Sequence, residues 1–190
     1  TSPAITINTN LAQTITFAGL SDTTYGAAPL TLSATASSGL PVTFSVLSGP
    51  ATVSANTLTL TGAGTVTVRA SEAGNSSYNP AADVVRSFTV SSAPLTVTAG
   101  NKNRAYGVAN PALTASYSGF VNGENASVLS GVPSLTTTAN ASSPIGSYPI
   151  VAAAGTLSAA NYSFVFINGV LTVAAQQGAQ PLVAIHDSEL

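Results

Sequence analysis

The sequence predicts an all-β chain of two tandem β-sandwich domains. Three observations carry that reading: apolar residues alternate with threonine, charge is almost absent, and short motifs recur 81 to 84 residues apart. Leu30, Leu32 and Ala34 interleave with Thr31, Ser33 and Thr35, and Val42, Phe44 and Val46 stand against Thr43 and Ser45. A period of two is that of a half-buried strand. The pattern continues at 58–60, 66–68, 87–90 and 95–98. Threonine is the usual outward residue, because its branched Cβ suits a pleated surface while its hydroxyl meets water. Clusters of Gly, Pro, Asn and Ser separate these runs, the spacing of a sandwich in which two sheets bury their inner faces together. The one helical turn expected lies in "NGENASVLSG", capped by Asn122 or Gly123, with Val128 and Leu129 turned inward.

Repetition sets the domain boundaries. Tyr25-Gly26 recurs as Tyr106-Gly107, and Ala18-Gly19 as Ala99-Gly100, both 81 residues on; Tyr78 answers to Tyr162 at 84, and Val90 to Val173 at 83. Two homologous units follow, 13–91 and 94–174, joined at "SSAP" with little slack. Residues 1–12 and 175–190 fall outside both repeats. Each carries a short apolar alternation, with Ile5 and Ile7 in the first and Leu182, Val183 and Ile185 in the second. We expect them to act as docking strands that add to an exposed sheet edge of a neighbouring copy; a monomer whose tails fold back along its own sheets is the alternative. In "YSFVFI", Tyr162, Phe164 and Phe166 face inward, which leaves Val165 and Ile167 outside where threonine is the rule. That exposure points to contact with a neighbouring domain or subunit; a buried central strand is the alternative.

Composition excludes several classes. Charged residues make up 5% of the chain and hydrophobic ones 45%, with a mean hydropathy of +0.38, so a disordered chain is excluded. Four cationic residues and a net charge of −2 offer no basic stripe, against nucleic acid and against an anionic membrane surface. The charge-free run after 146 is interrupted by Pro149, Gly155, Asn161, Asn168 and Gly169, so membrane insertion is not expected. An aromatic content of 6% does not support the girdles of a membrane barrel. The absence of cysteine removes disulfides without deciding the compartment. The start, "TSPAITINTN", has neither basic residues nor an apolar core, and reads as a mature or excised chain.

Chemistry finds little to work with. The sole histidine, His186, stands four residues from the end, which argues against a nucleophilic triad. Glu72 and Asp83 read as solvated loop ends, and no carboxylates cluster as a calcium site requires. An isopeptide bond from Lys102 to an asparagine such as Asn161, assisted by Glu124, is set against "NKNR" as an exposed turn. Asn75, Asn125, Asn140 and Asn161 each open an Asn-x-Ser triplet, attributed to composition. Tyr78, Tyr117, Tyr148 and Tyr162 are expected to pack with their phenols at the rim rather than form a carbohydrate platform. No catalytic residue, cofactor or metal is expected.

The second repeat contains "LTVTA", "YGVANPALTASYSGFVNGE", "GVPSLTTTA", "SPIGSYPI" and "NYSFVFINGVLTV". In these it resembles the MBG domain, a bacterial immunoglobulin-like repeat of large secreted and surface-anchored proteins. The first repeat, with "YGAAPLTLSATASSGLPVTFSV" and "LTLTGAGTVTVRASEAGNSSYN", resembles the related immunoglobulin-like repeat found beside it. The resemblance implies two tandem immunoglobulin-like sandwiches in a secreted or cell-surface setting, and supplies no catalytic residues. The "YGVANP" stretch then reads as scaffold: Gly107 frees a turn, Asn110-Pro111 enforces an extended entry, and "FVNGE" turns the chain. The expected function is a non-enzymatic structural module of a bacterial surface or matrix protein, a filament subunit assembling head to tail by strand addition. The alternative is an adhesin module recognising a glycan or host protein through its end loops. Partners are further copies, neighbouring repeats or such a surface ligand.

Overall fold

Alternation along the chain becomes sixteen strands and a single 3-10 turn in the computed structural model, which describes residues 10–176. The first nine strands are β1 (Ile15–Phe17), β2 (Thr23–Thr24), β3 (Leu30–Thr31), β4 (Ala34–Ala36), β5 (Thr43–Ser48), β6 (Ala51–Ser54), β7 (Thr57–Leu60), β8 (Gly64–Ser71) and β9 (Val84–Ser91). They form sheets in the orders β2-β9-β8-β5 and β3-β7-β6, with β1 and β4 as a separate pair. The remaining seven are β10 (Ala93–Ala99), β11 (Lys102–Ala105), β12 (Ala115–Ser118), β13 (Ser134–Thr136), β14 (Gly146–Ala153), β15 (Tyr162–Ile167) and β16 (Gly169–Ala174). Their sheets run β12-β10-β15 and β11-β16-β14-β13. The architecture is all-β, built of sandwich-like sheets.

Packing divides the chain into two compact units. The first takes the described residues to Leu95 together with Gly119–Leu129 and Ala159–Ser163; the second takes Thr96–Ser118, Ser130–Ser158 and the described residues from Phe164. Each core follows from the period of two. In β7, Leu58 and Leu60 are buried between exposed Thr57 and Thr59. In β8, Val66 and Val68 are wholly excluded from solvent, and in the second unit so are Ile150 and Leu171. Side chains of this size contribute about 1.5–3 kcal/mol each on full burial.

The two units share an unusual pairing. Thr23 of β2 lies opposite Val90 of β9 in parallel, and Arg104 of β11 lies opposite Val173 of β16, also in parallel. The offsets that relate the sequence repeats carry the first pair onto the second.

Three local expectations differ from the structure. The alternation from Leu30 breaks at Leu32–Ser33, because buried Leu32 donates its N–H to Asn56 O at 2.7 Å and the chain then leaves for β4. The helical segment is only Ala126–Val128, capped by Asn125 rather than Asn122 or Gly123; Val128 is exposed. Asn122 and Gly123, both at positive φ, form the preceding turn instead. The "NKNR" turn is largely strand β11, which buries Arg104.

Candidate functional site

Sheet edges are where a sandwich can accept another chain, since an edge strand presents unpaired N–H and C=O groups. Native edges are kept short, charged or kinked to prevent this. Most edges here are blunted so. β2 and β3 have two residues each and β13 three, β11 carries Lys102, β12 is the polar Ala-Ser-Tyr-Ser, and β5 shifts register between Val46 and Ser48. β15 departs from the pattern: it is the outer strand of β12-β10-β15, and its six residues, Tyr-Ser-Phe-Val-Phe-Ile, contain no charge, proline or glycine.

Along β15, Tyr162 is buried, Phe164 and Phe166 are half-buried, and Val165 and Ile167 are 50% and 48% exposed. The Phe164 and Phe166 rings lie 6.2 Å apart, and Phe166 packs on a core of Ala99, Ala139, Ile150, Ala152 and Leu171. The strand is thereby fixed on its inner face, while among the described residues no strand pairs with its outer edge. It is an edge strand, and not a buried central one. The other residues expected to self-associate, Ile5, Ile7, Leu182, Val183 and Ile185, lie outside the described residues, as does His186.

Polar residues missed or misread in the sequence hold the loops. Glu72 is buried and not a solvated loop end: its carboxylate accepts from Gly74 N at 2.9 and 3.0 Å and from the side-chain amide of buried Gln13. Asp83 does reach solvent, paired with Arg69 at 3.6 Å in a bridge too exposed to add much stability. Arg104 donates to Asn110 Oδ1 at 2.8 Å, to Ala105 O at 3.1 Å and to Asn140 O. Asn110 in turn donates to Ala139 O at 2.6 Å. The asparagine of "YGVANP" is thus a bracket between loops as well as the partner of a proline.

The Asn-x-Ser triplets have a conformational cause in three of the four cases. Asn75, Asn125 and Asn140 each accept the backbone N–H of the serine two residues on, at 2.8, 2.9 and 3.0 Å. This is the Asx turn, which favours a short side-chain carbonyl followed by a polar residue. Asn161 instead accepts from Ala63 N at 3.0 Å. Among the tyrosines, Tyr78, Tyr117 and Tyr148 are half-buried.

Within the first unit, Glu124 joins two tyrosines. Its Oε1 accepts from the Tyr25 hydroxyl at 2.9 Å, its Oε2 accepts from the Tyr162 hydroxyl, and Tyr162 Oη accepts from Val121 N at 3.1 Å. The Tyr25 and Tyr162 rings meet edge to face at 6.1 Å. A hollow of 110 Å³ beside them is lined by Glu124, Val128, Ala159, Ala160, Asn161 and Tyr162. Glu124 and Asn161, named for an isopeptide bond, do share this hollow, but both are engaged in hydrogen bonds and Lys102 stands on β11 in the other unit. Among the described residues no three His, Cys, Asp or Glu side chains come together as a metal site would need.

Burial pushes the Tyr162 phenol above its ordinary range, and the hydrogen bond to Glu124 raises it further, since both disfavour the phenolate. The folded state therefore holds this proton more tightly than the unfolded chain. Its contribution to stability is complete below about pH 10 and is lost as pH rises through the raised folded value. Urea titrations from pH 9 to 12 should show wild-type stability falling more steeply than that of Tyr162→Phe; equal slopes would contradict the assignment.

Comparison with known proteins places residues 95–172 as similar to the MBG domain (YGX type). No curated protein matches the sequence. Among solved structures, the crystal structure of Drosophila N-cadherin EC1-4 aligns with 87% of this chain and 50% of its own, at 5% identity and a TM-score of 0.38. The structure of Dscam1 isoform 9.44, N-terminal four Ig domains (with zinc), aligns with 86% of this chain and 46% of its own, at 14% identity and a TM-score of 0.34. The chain spans about half the length of these structures.

Proposed function

We propose that this chain is a non-enzymatic structural module of a bacterial surface or matrix protein, working outside the cell and assembling with further copies through the β15 edge. The observation that carries the reading is β15 itself, an uncharged apolar edge of six residues with Val165 and Ile167 facing water. A strand added there satisfies the free backbone groups and covers both side chains. The donor is an alternating segment of a second copy: Ile5 and Ile7, or Leu182, Val183 and Ile185, have the needed pattern. Addition of an end segment of one copy to the edge of the next is a head-to-tail contact, which propagates into a filament unless its rotation closes a ring. The MBG likeness of the second repeat supports the extracellular setting.

Sedimentation velocity over a range of concentrations tests the proposal. Wild type should form a ladder of oligomers, and Val165→Lys with Ile167→Lys should collapse it to monomer while leaving the fold intact, because both side chains are already half in water. Wild type remaining monomeric, or the doubly substituted chain assembling unchanged, would refute it. A second reading, an adhesin, is favoured by an open hollow of 390 Å³ lined by Val42, Thr43, Phe44, Ala55 and Asn56. Saturable glycan binding lost on Asn56→Ala would establish it.

A further inference from the structure

The two Tyr-Gly pairs occupy equivalent corners and have different surroundings. Tyr25 N donates to Ser91 O at 2.8 Å, and Tyr106 N donates to Ala174 O at 2.9 Å, so each tyrosine leaves a strand paired in parallel with the last strand of its repeat and is pinned to that strand's end. Both glycines sit at positive φ, 93° and 80°. Here the likeness ends. Tyr25 is 5% exposed, while Tyr106 is 47% exposed.

What covers Tyr25 is specific. Glu124 accepts its hydroxyl, Tyr162 meets its ring at right angles, and Val121 fills the space beside Gly26 so closely that an added Cβ would stand 2.7 Å from Val121 Cβ. All three come from Gly119–Leu129 and Ala159–Ser163, the segments that pack in the first unit. Gly26 thus serves twice, once for its φ and once for its missing Cβ. At the second corner, a Cβ built on Gly107 meets nothing within 4 Å, Val108 is 49% exposed, and a hollow of 430 Å³ opens beside Ala105 and Ala174.

We propose that the Tyr106–Gly107 corner is a docking seat for a further repeat of the same kind, one that presents a Phe-Val-Asn-Gly-Glu loop beside an Asn-Tyr pair. The loop carboxylate accepts the Tyr106 hydroxyl, the loop valine lies over Gly107, and the partner tyrosine closes edge-on over the ring of Tyr106. The occupant is a following repeat and not a second copy of this chain, because in a second copy residues 119–129 are already engaged with Tyr25. The inference rests on the structural role proposed above but uses a different surface from β15.

The test inserts another copy of 92–174 between Ala174 and Ala175 of the full chain, and reads nitration of Tyr106 by tetranitromethane with peptide mass spectrometry. In the unextended chain Tyr106 reacts readily. In the extended chain its rate should fall about ninefold, the ratio of the two exposures, and return when the glutamate of the added copy equivalent to Glu124 is changed to alanine. A second measurement needs no extension: Glu124→Ala in the original chain should make Tyr25 reactive. Unchanged Tyr106 nitration beside a folded added copy, protection indifferent to that glutamate, or a Tyr25 that stays unreactive in Glu124→Ala would each overturn the proposal. None of these outcomes touches Val165 or Ile167, so the edge-strand reading stands or falls separately.

Discussion

Replacing Arg104 with alanine is expected to lower the stability of the second unit by about 3 kcal/mol, read as a fall in the urea midpoint at unchanged slope. Arg104 is 7% exposed, and its guanidinium serves three acceptors, Asn110 Oδ1, Ala105 O and Asn140 O. Alanine leaves them without this donor and removes the buried side chain that carries it. The bracket through Asn110 to Ala139 O then loses its anchor, which loosens the stretch of chain from 139 to 143. Arg104→Lys should recover only part of the loss, because an ammonium cannot present a fork to three separated oxygens. A change within about 0.5 kcal/mol for alanine would mean that water satisfies those acceptors and that the bracket is incidental.

Glu72→Ala is the second large effect, a loss of about 2–3 kcal/mol from the first unit. The carboxylate ties Gly74 N–H to the side chain of Gln13, and Gln13 also donates to Asn79 O at 2.7 Å and accepts from Ser38. The same loop is strapped by Leu11 N to Ser77 O and Asn79 N to Leu11 O, both at 2.9 Å. Without Glu72, the Gly74 N–H loses its acceptor and the buried Gln13 amide keeps only Asn79 O, the costly half of breaking a hydrogen bond. Glu72→Gln keeps one acceptor oxygen and should lose about half as much. Amide exchange at Leu11 and Asn79 reports the result: it should speed up in Glu72→Ala, and unaltered exchange would show that the loop does not depend on the carboxylate.

These two residues mark where the sequence stops being legible. Strands such as Leu58–Leu60 and Val66–Val68 can be read directly, because one local variable, the side on which a side chain falls, decides both conformation and burial. The inward Tyr162 and outward Val165 and Ile167 follow by the same logic. Glu72 does not, since the group that makes its burial tolerable, Gln13, is 59 residues away in a stretch with no pattern of its own. Arg104 looked like part of an exposed turn because four polar residues in a row conceal a strand whose alternation is polar on both faces. Glu124 stood within a turn recognised as such, but its two phenol partners come from positions 25 and 162, and no periodicity links them.

The proposed function rests on composition and on the β15 edge. An open sheet edge invites pairing unless something belongs there, and β15 contains no charge, proline or glycine to discourage it. That makes negative-stain electron microscopy of the purified chain the most direct measurement. Linear end-to-end assemblies that disappear in the Val165→Lys, Ile167→Lys chain are the predicted outcome. Isolated particles at every concentration, or assemblies that persist after both substitutions, would contradict it.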